Sequence, residues 1–236
     1  MSLTLGLLAG ASPAAALKFL TELQASTPVN FDRDHIRVIA DINPGAPDRD
    51  IPGAGGVGGA GAALAEAAGA LRGAGAEVLA IVGNSAHAWG DLIQRASGLP
   101  LIDMIQTAAS AAGETGARRV GVLGSRPALR LYREYLAAQS MGIVTLPAER
   151  QQAFTEAFAE LKSGDTSGDM GRRMAELSSE LIADGAELVI LGAAELTMVL
   201  SEDDVLFGVI DPAERLARRC VSVCLGLEPT PVALEG

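Results

Sequence analysis

The sequence is poor in aromatic residues and in basic residues. Aromatic side chains make up only 3% of its 236 residues, so Ala, Leu, Val and Ile must fill the interior, which favours helices packed on buried strands. Lys and Arg number 18 against 29 Asp and Glu, and the formal net charge of -11 repels nucleic-acid phosphates and anionic lipids. We therefore expect neither a nucleic acid nor a membrane among its partners.

Long hydrophobic runs are also missing. No run approaches the ~20 apolar residues that a membrane-spanning helix needs. The apolar residues 1–19 lack a basic start and are interrupted by Gly10 and Pro13, so they indicate a strand, a turn and a helix rather than a secretory signal. These features predict a soluble, cytoplasmic protein.

Cysteine is nearly absent. Cys220 and Cys224 are the only two, and they lie four residues apart on a predicted helix. Two cysteines at this spacing suit neither a disulfide framework nor a four-ligand zinc site. We expect a buried structural pair and no metal centre.

Apolar runs and Ala-rich segments alternate along the chain. Short continuous apolar runs are typical of buried parallel strands, and they occur at residues 3–8, 36–42, 78–82, 120–123, 188–191 and 205–210. Segments with helical spacing lie between them, at residues 14–23, 60–71, 128–136, 149–161 and 170–182. The alternation predicts an α/β protein with mostly parallel sheets, in which His35 is a core residue of the second strand.

The chain resembles itself. Residues 75–83 and 185–193 match without a gap, and shorter matches in the same order relate residues 5–13 to 120–127 and residues 101–103 to 209–211. We infer two pseudo-symmetric three-layer lobes, residues 1–103 with 211–236 and residues 104–210. Ligands of open α/β sheets bind at the carboxyl ends of the strands, so we expect an active-site cleft between the lobes.

The strand ends carry short motifs in a characteristic order. Residues 34–36 (Asp-His-Ile) lead to residues 43–49, Asn-Pro-Gly-Ala-Pro-Asp-Arg. Residues 83–87 are Gly-Asn-Ser-Ala-His and residues 192–195 are Gly-Ala-Ala-Glu. Together with Tyr132 and the Leu-Lys-x-Gly of residues 161–164, this order resembles the aspartate/glutamate racemase family, most closely its aspartate racemase branch, along nearly the whole chain.

That resemblance implies a cofactor-free enzyme in which two cysteine thiols face each other across the α-carbon of the substrate. The motifs carry those thiol positions onto Gly83 and Ala193, and neither residue can take up a proton. Two-thiol racemisation is therefore excluded. Family members commonly dimerise, so the resemblance also implies a homodimer.

The residues that remain can bind a small carboxylate and move a proton. The resemblance assigns carboxylate binding to Arg49 and Lys162, and Arg suits a planar carboxylate because it donates two parallel hydrogen bonds. Further candidate binding residues are Ser12, Asn43, Asn84, Ser125 and Arg126. Ser12 and Ser125 are equally suited to cap helices. The candidate catalytic residues are Ser85, His87 and Glu195.

A glycine-rich stretch offers a different interpretation. Residues 53–58 formally match the G-x-G-x-x-G fingerprint of dinucleotide sites. They do not directly follow a strand, however, so a loop that closes over the cleft explains them better than a nucleotide cofactor.

Three functions stay open. The first is an isomerase, decarboxylase or lyase that acts on a small amino acid or dicarboxylate without a cofactor and without two thiols. The second is a catalytically inactive homologue that retains the carboxylate site. The third is a chain that supports an active partner enzyme.

Overall fold

The structure is a computed structural model that describes residues 2–10, 12–45, 57–201 and 204–234. The chain divides into two compact units, Met1–Thr107 with Ala213–Gly236, and Ala108–Pro212. None of the described helices is long and apolar enough to cross a membrane.

The first unit contains a four-stranded parallel sheet in the order β2-β1-β3-β4. Its strands are β1 (Leu5–Gly10), β2 (Val38–Ile42), β3 (Val78–Ile81) and β4 (Leu101–Ile102). Its helices are α1 (Pro13–Ser26), α2 (Val57–Gly73), α3 (Gly90–Ser97) and α8 (Pro212–Cys224), with 3₁₀ helices at Asp32–Asp34 and Asn84–Trp89. Helix α4 (Met104–Glu114) carries the chain from this unit into the second.

The second unit repeats this design in the order β6-β5-β7-β8, again with parallel pairs throughout. Its strands are β5 (Arg119–Gly124), β6 (Gly142–Val144), β7 (Leu188–Gly192) and β8 (Gly208–Ile210). Its helices are α5 (Arg126–Ala138), α6 (Ala148–Lys162) and α7 (Gly168–Ala183), with a 3₁₀ helix at Ala194–Met198. The predicted α/β class with parallel sheets is therefore confirmed.

The burial of the central strands explains why the sequence predicts them from continuous apolar runs. Every residue of β3 and of β7 is buried, so these strands have no polar face and appear as continuous apolar runs. The edge strand β2 is only partly buried. β4 and β6 were not predicted, because two or three residues are too short to form a recognisable run.

One detail of the second strand is wrong in the sequence-based prediction. His35 does not belong to β2 but lies before it, half-buried, at the end of the 3₁₀ helix Asp32–Asp34. The apolar run was extended too far towards the N-terminus because Ile36, which is buried, precedes the exposed Arg37 and the true start of the strand.

Residues 75–77 and 185–187 are both Gly-Ala-Glu, and they have the same local structure in the two units. Gly75 and Gly185 adopt left-handed conformations (φ +102° and +92°) after α2 and α7, which glycine tolerates best. Two residues on, an Oε2 atom of Glu77 accepts a hydrogen bond from Thr4 N (2.8 Å), and Glu187 Oε2 accepts one from Arg118 N (2.7 Å). In each unit the glutamate carboxylate of the repeat thus links, by one hydrogen bond, the start of one central strand to the start of its neighbour.

A glycine in each first strand accommodates the alanine of this repeat. A Cβ atom placed on Gly6 would lie 2.8 Å from Ala76 Cβ, and one on Gly121 would lie 3.1 Å from Ala186 Cβ. Because both units pack the same residue types at the same point, the internal resemblance of the sequence reflects a repeated packing arrangement as well as a repeated strand order.

The predicted burial of the cysteine pair is confirmed. Cys220 and Cys224 lie on α8 as free thiols, each no more than 1% exposed. Burial raises the pKa of the Cys220 thiol, and burial together with the nearby Glu77 carboxylate raises the pKa of Cys224 to about 11. Both thiols are therefore protonated and unreactive at neutral pH.

Candidate functional site

Several candidate binding and catalytic residues of the first unit lie at the same edge of its sheet. Strands β2, β1 and β3 are neighbours and parallel, and Val82 N donates to Leu8 O (2.8 Å) just beyond the end of β3. Ser12, Asn43 and residues 83–87 follow these three strands, so all of them lie at the carboxyl edge of the sheet. This is the edge at which open α/β sheets bind ligands.

The two outer members of this group stabilise local turns. Ser12 caps α1, its Oγ accepting a hydrogen bond from Ala15 N (3.3 Å). Asn43 is exposed, and its Oδ1 accepts from Gly45 N (3.0 Å) in a turn after β2. The capping prediction for Ser12 is confirmed, and ligand binding by either residue stays a prediction.

The segment after β3 is largely buried. It forms the 3₁₀ helix Asn84–Trp89, in which Asn84, Ser85 and His87 are 4%, 3% and 8% exposed. Buried polar side chains need hydrogen-bond partners, and they concentrate where a protein positions a ligand or orders a loop. Among the described residues of the first unit, no other segment this short contains three buried polar side chains.

His87 has a fixed place in this segment. Its Nε2 atom accepts a hydrogen bond from Met104 N (3.0 Å), so Nδ1 carries the proton and donates to Gly83 O (3.1 Å). Asp103 Oδ1 lies 3.9 Å from Nε2, while the same oxygen caps α4 by accepting from Gln106 N (2.9 Å). A neutral imidazole with both nitrogens engaged holds the loop after β3 against the start of α4.

Gly83 and Ala193, the two positions that the resemblance pairs, differ in backbone conformation. Gly83 has φ +156° and ψ 109°, a conformation that favours glycine, whereas Ala193 is extended with φ -148° and ψ 132°. A side chain is therefore accommodated at residue 193 by the existing backbone, while one at residue 83 requires the backbone to rotate.

The second sheet places its polar residues in the same way. β5 and β7 end side by side, with Gly124 opposite Gly192. A Cβ atom on Gly124 would lie 3.0 Å from Gly192 O, so the two strand ends approach each other closely because both residues are glycine. Ser125 and Arg126 follow β5, and Ala193 and Glu195 follow β7.

These four residues differ in exposure. Ser125 occupies the N-cap position of α5 and is 9% exposed, although its side chain makes no capping bond to that helix. Arg126, the first residue of α5, is exposed. Ala193 is buried, and Glu195 is half-buried on the 3₁₀ helix Ala194–Met198.

The two predicted carboxylate-binding cations are less informative. Lys162 ends α6, half-buried, with its Nζ 5.4 Å from the centroid of the Phe158 ring. Arg49 and the glycine-rich residues 53–56 lie outside the described residues, so their assignments stay predictions. Within the described ranges no three His, Cys, Asp or Glu side chains are grouped as a metal site.

Sequence reasoning missed Gln151. This side chain of α6 is 6% exposed, and its Nε2 donates to Gly124 O (3.0 Å) at the end of β5. A signal was present, because Gln151 precedes Phe154, Phe158 and Leu161 at helical spacing and so occupies a position on the apolar face of α6. A polar residue at such a position indicates a specific hydrogen bond.

Comparison with known proteins identifies the family of this chain. The family model described as Asp/Glu/Hydantoin racemase matches residues 8–220. Among solved structures, the chain is similar to the Picrophilus torridus aspartate racemase (TM-score 0.82, 21% identity, covering 94% of each chain). It is also similar to an aspartate racemase homologue from Pyrococcus horikoshii OT3 (TM-score 0.75, 24% identity, covering 94% of this chain and 99% of that one).

A third similar structure is an unliganded arylmalonate decarboxylase (TM-score 0.53, 16% identity, covering 94% of each chain). At these identities the solved structures establish the fold, whereas the family model spans most of the sequence. The chain belongs to the Asp/Glu/hydantoin racemase family.

Proposed function

We propose that the protein is an enzyme that removes a proton, or a carboxylate group, from the α-carbon of a small amino acid or dicarboxylate without a cofactor. The observation that carries this proposal is the buried polar segment Asn84–His87 after β3, in a chain that belongs to a racemase family. The similar structures include both an aspartate racemase and an arylmalonate decarboxylase, which favours chemistry at a carbon next to a carboxylate.

We assign the proton-transfer step to Glu195 and ligand binding in the same unit to Ser125. The Glu195 carboxylate is half-buried beside Ala193, the position that the family resemblance equates with a thiol. A carboxylate that takes the proton forms an O–H bond as the C–H bond breaks, and the charge left on the ligand spreads into its carboxylate. Ser125, which follows the neighbouring strand β5, can donate its hydroxyl hydrogen to that developing charge.

His87 is a weaker candidate for proton transfer than its position in the motif indicates. Both of its ring nitrogens are engaged with backbone groups, and a base needs a free lone pair that faces the ligand. We propose that His87 positions the loop and does not exchange a proton with the ligand.

Proton exchange at the ligand tests the proposal. Aspartate and glutamate, each as both enantiomers, are incubated with the protein in D₂O, and the α-proton signal is followed by NMR. We expect exchange or decarboxylation, slowed about 10²- to 10⁴-fold by Glu195→Gln because the group that removes the proton from the α-carbon, or returns one to it, is lost. Glu156→Gln, the same change at an exposed residue of α6, is the matched control and leaves the rate unchanged.

The catalytically inactive homologue is the second candidate, favoured by Gly83 and Ala193, which carry no titratable group. It predicts ligand binding with neither exchange, decarboxylation nor elimination. Binding without turnover would therefore replace the first proposal with the second, and failure to bind any of these carboxylates would refute both.

A further inference from the structure

Arg215 is a half-buried cation of α8 whose side chain has no partner in the described part of the chain. Its Nε atom is buried and forms no hydrogen bond, and none of the described carboxylates pairs with the guanidinium. The other two arginines of this helix are engaged. Arg218 Nη2 lies 2.6 Å from Glu214 Oε1, and Arg219 Nε lies 3.6 Å from Glu228 Oε2. A buried donor without an acceptor and a partly buried charge without a counter-charge are both unfavourable.

The position of Arg215 within α8 adds to this unfavourable free energy. It is the fourth residue of a helix that begins at Pro212, in the turn whose free backbone N–H groups make the N-terminal end of the helix positive. A cation is disfavoured there, and Glu214, the acidic residue of this turn, is already paired with Arg218. The guanidinium and the helix end therefore produce a local positive potential that attracts an anion.

Hydrogen bonds of α8 show where Arg215 lies in the first unit. At the end of the helix, Cys224 O accepts from Leu3 N (2.9 Å) just before β1, so α8 ends at the amino edge of the first sheet. Arg219 Nη1 donates to Thr107 Oγ1 (3.0 Å) in the first turn of α4, which follows β4. Arg215 is one helical turn further from the amino edge, on the same side of α8 as Arg219. It therefore lies at the carboxyl edge, as the candidate residues of the first unit do.

We propose that Arg215 binds a carboxylate of a small anionic ligand at the carboxyl edge of the first sheet. The planar guanidinium donates parallel hydrogen bonds that match the two oxygens of a carboxylate. The ligand thereby supplies the negative charge that the described residues do not provide for this cation. The inference rests on the proposed function, because the class of ligand, a small amino acid or dicarboxylate, comes from there.

This assignment predicts opposite effects on stability and on binding when the charge is removed. Arg215→Met keeps an apolar stem and removes the unpaired guanidinium, so the ligand-free protein should become more stable. The same change removes the partner of the ligand carboxylate, so binding should weaken. An arginine with a purely structural role would instead stabilise the ligand-free protein, and its removal would lower the free energy of unfolding.

The test measures both quantities in the full chain. Urea denaturation of the ligand-free protein, followed by circular dichroism, should show a higher midpoint for Arg215→Met than for the unaltered protein. Calorimetry with succinate and with aspartate should show affinities that fall about tenfold or more, as for loss of a hydrogen bond to a charged group. Arg218→Met, at an exposed arginine of the same helix, is the matched control. It should not raise the midpoint, and it should change either affinity by less than about twofold.

A conservative variant separates the charge from the shape of the donor group. Arg215→Lys keeps the positive charge but loses the planar pair of donors, so its affinities should lie between those of the unaltered protein and of Arg215→Met. Affinities for Arg215→Lys below those for Arg215→Met would contradict the proposal.

The outcomes separate the inference from the proposed function. If the unaltered protein binds the probes and Arg215→Met leaves both affinities unchanged, the inference is wrong and the proposed function stands. A lower urea midpoint for Arg215→Met would also overturn the inference, because Arg215 would then have a structural partner. If Arg215→Met changes the oligomeric state measured by light scattering but neither affinity, the anion belongs to a second copy of the chain and the inference is again wrong. If the unaltered protein binds neither probe, the proposed function fails, and the inference fails with it.

Discussion

Replacing His87 with Leu should destabilise the protein, chiefly because the buried backbone N–H of Met104 loses its hydrogen-bond acceptor. The substitution removes two hydrogen bonds, from Nδ1 to Gly83 O and from Met104 N to Nε2. Their loss is unequal, because Gly83 O also accepts from Ala86 N (3.1 Å). Met104 is fully buried at the first position of α4, where a backbone N–H has no acceptor within its own helix.

The magnitude follows from this inequality. Leaving the Met104 N–H unsatisfied costs about 1–3 kcal/mol, and the bond to Gly83 O contributes a further ~0.5–1.5 kcal/mol. We therefore expect His87→Leu to lower the free energy of unfolding by about 2–4 kcal/mol. His35→Leu is the matched control, because His35 is half-buried and lies in a turn before β2, and we expect it to change stability by less than about 0.5 kcal/mol.

Two conservative variants determine which bond matters more. The amide oxygen of Gln can reach the position of Nε2 and accept from Met104 N, whereas the shorter amide of Asn can replace only Nδ1. His87→Gln should therefore be more stable than His87→Asn. The free energies are measured by urea denaturation of the full chain, monitored by circular dichroism. A stability order with Asn above Gln, or equal effects of the His87 and His35 substitutions, would refute the reasoning.

Two further predictions concern packing and pH. Gly6→Ala should lower the free energy of unfolding by about 1–3 kcal/mol, because its Cβ would lie 2.8 Å from Ala76 Cβ. The control is Gly208→Ala, whose Cβ would lie 3.6 Å from its nearest neighbour, and we expect it to be close to neutral. Both effects are measured in thermal melts. The buried thiols have pKa values raised above 9.0, so the unfolded chain loses their protons first and stability should fall as pH rises from 9 to about 11. The variant with both Cys220 and Cys224 changed to Ala should show a shallower decline in denaturation curves measured across that range, and an equal slope would contradict this assignment.

The candidate site was only partly predictable. Residues 83–87 and 192–195 could be located because they follow the most apolar runs in the chain, and parallel strands place such segments at one edge of each sheet. Gln151 could not be assigned a partner, since its contact with Gly124 joins residues 27 positions apart. The hydrogen bonds of both His87 nitrogens could not be predicted either, because Met104, one of the two partners of His87, lies 17 residues away.

The sequence by itself determined the alternation of strands and helices, the parallel sheets and the internal repeat, because buried strands and Gly-Ala-Glu turns leave local patterns. Tertiary structure alone decided where β2 begins, that β4 and β6 exist, and which polar side chains bond to backbone groups. Short strands are stabilised by their neighbours in the sheet rather than by their own composition. Hydrogen bonds of buried side chains depend on distances between remote segments, which no local pattern records.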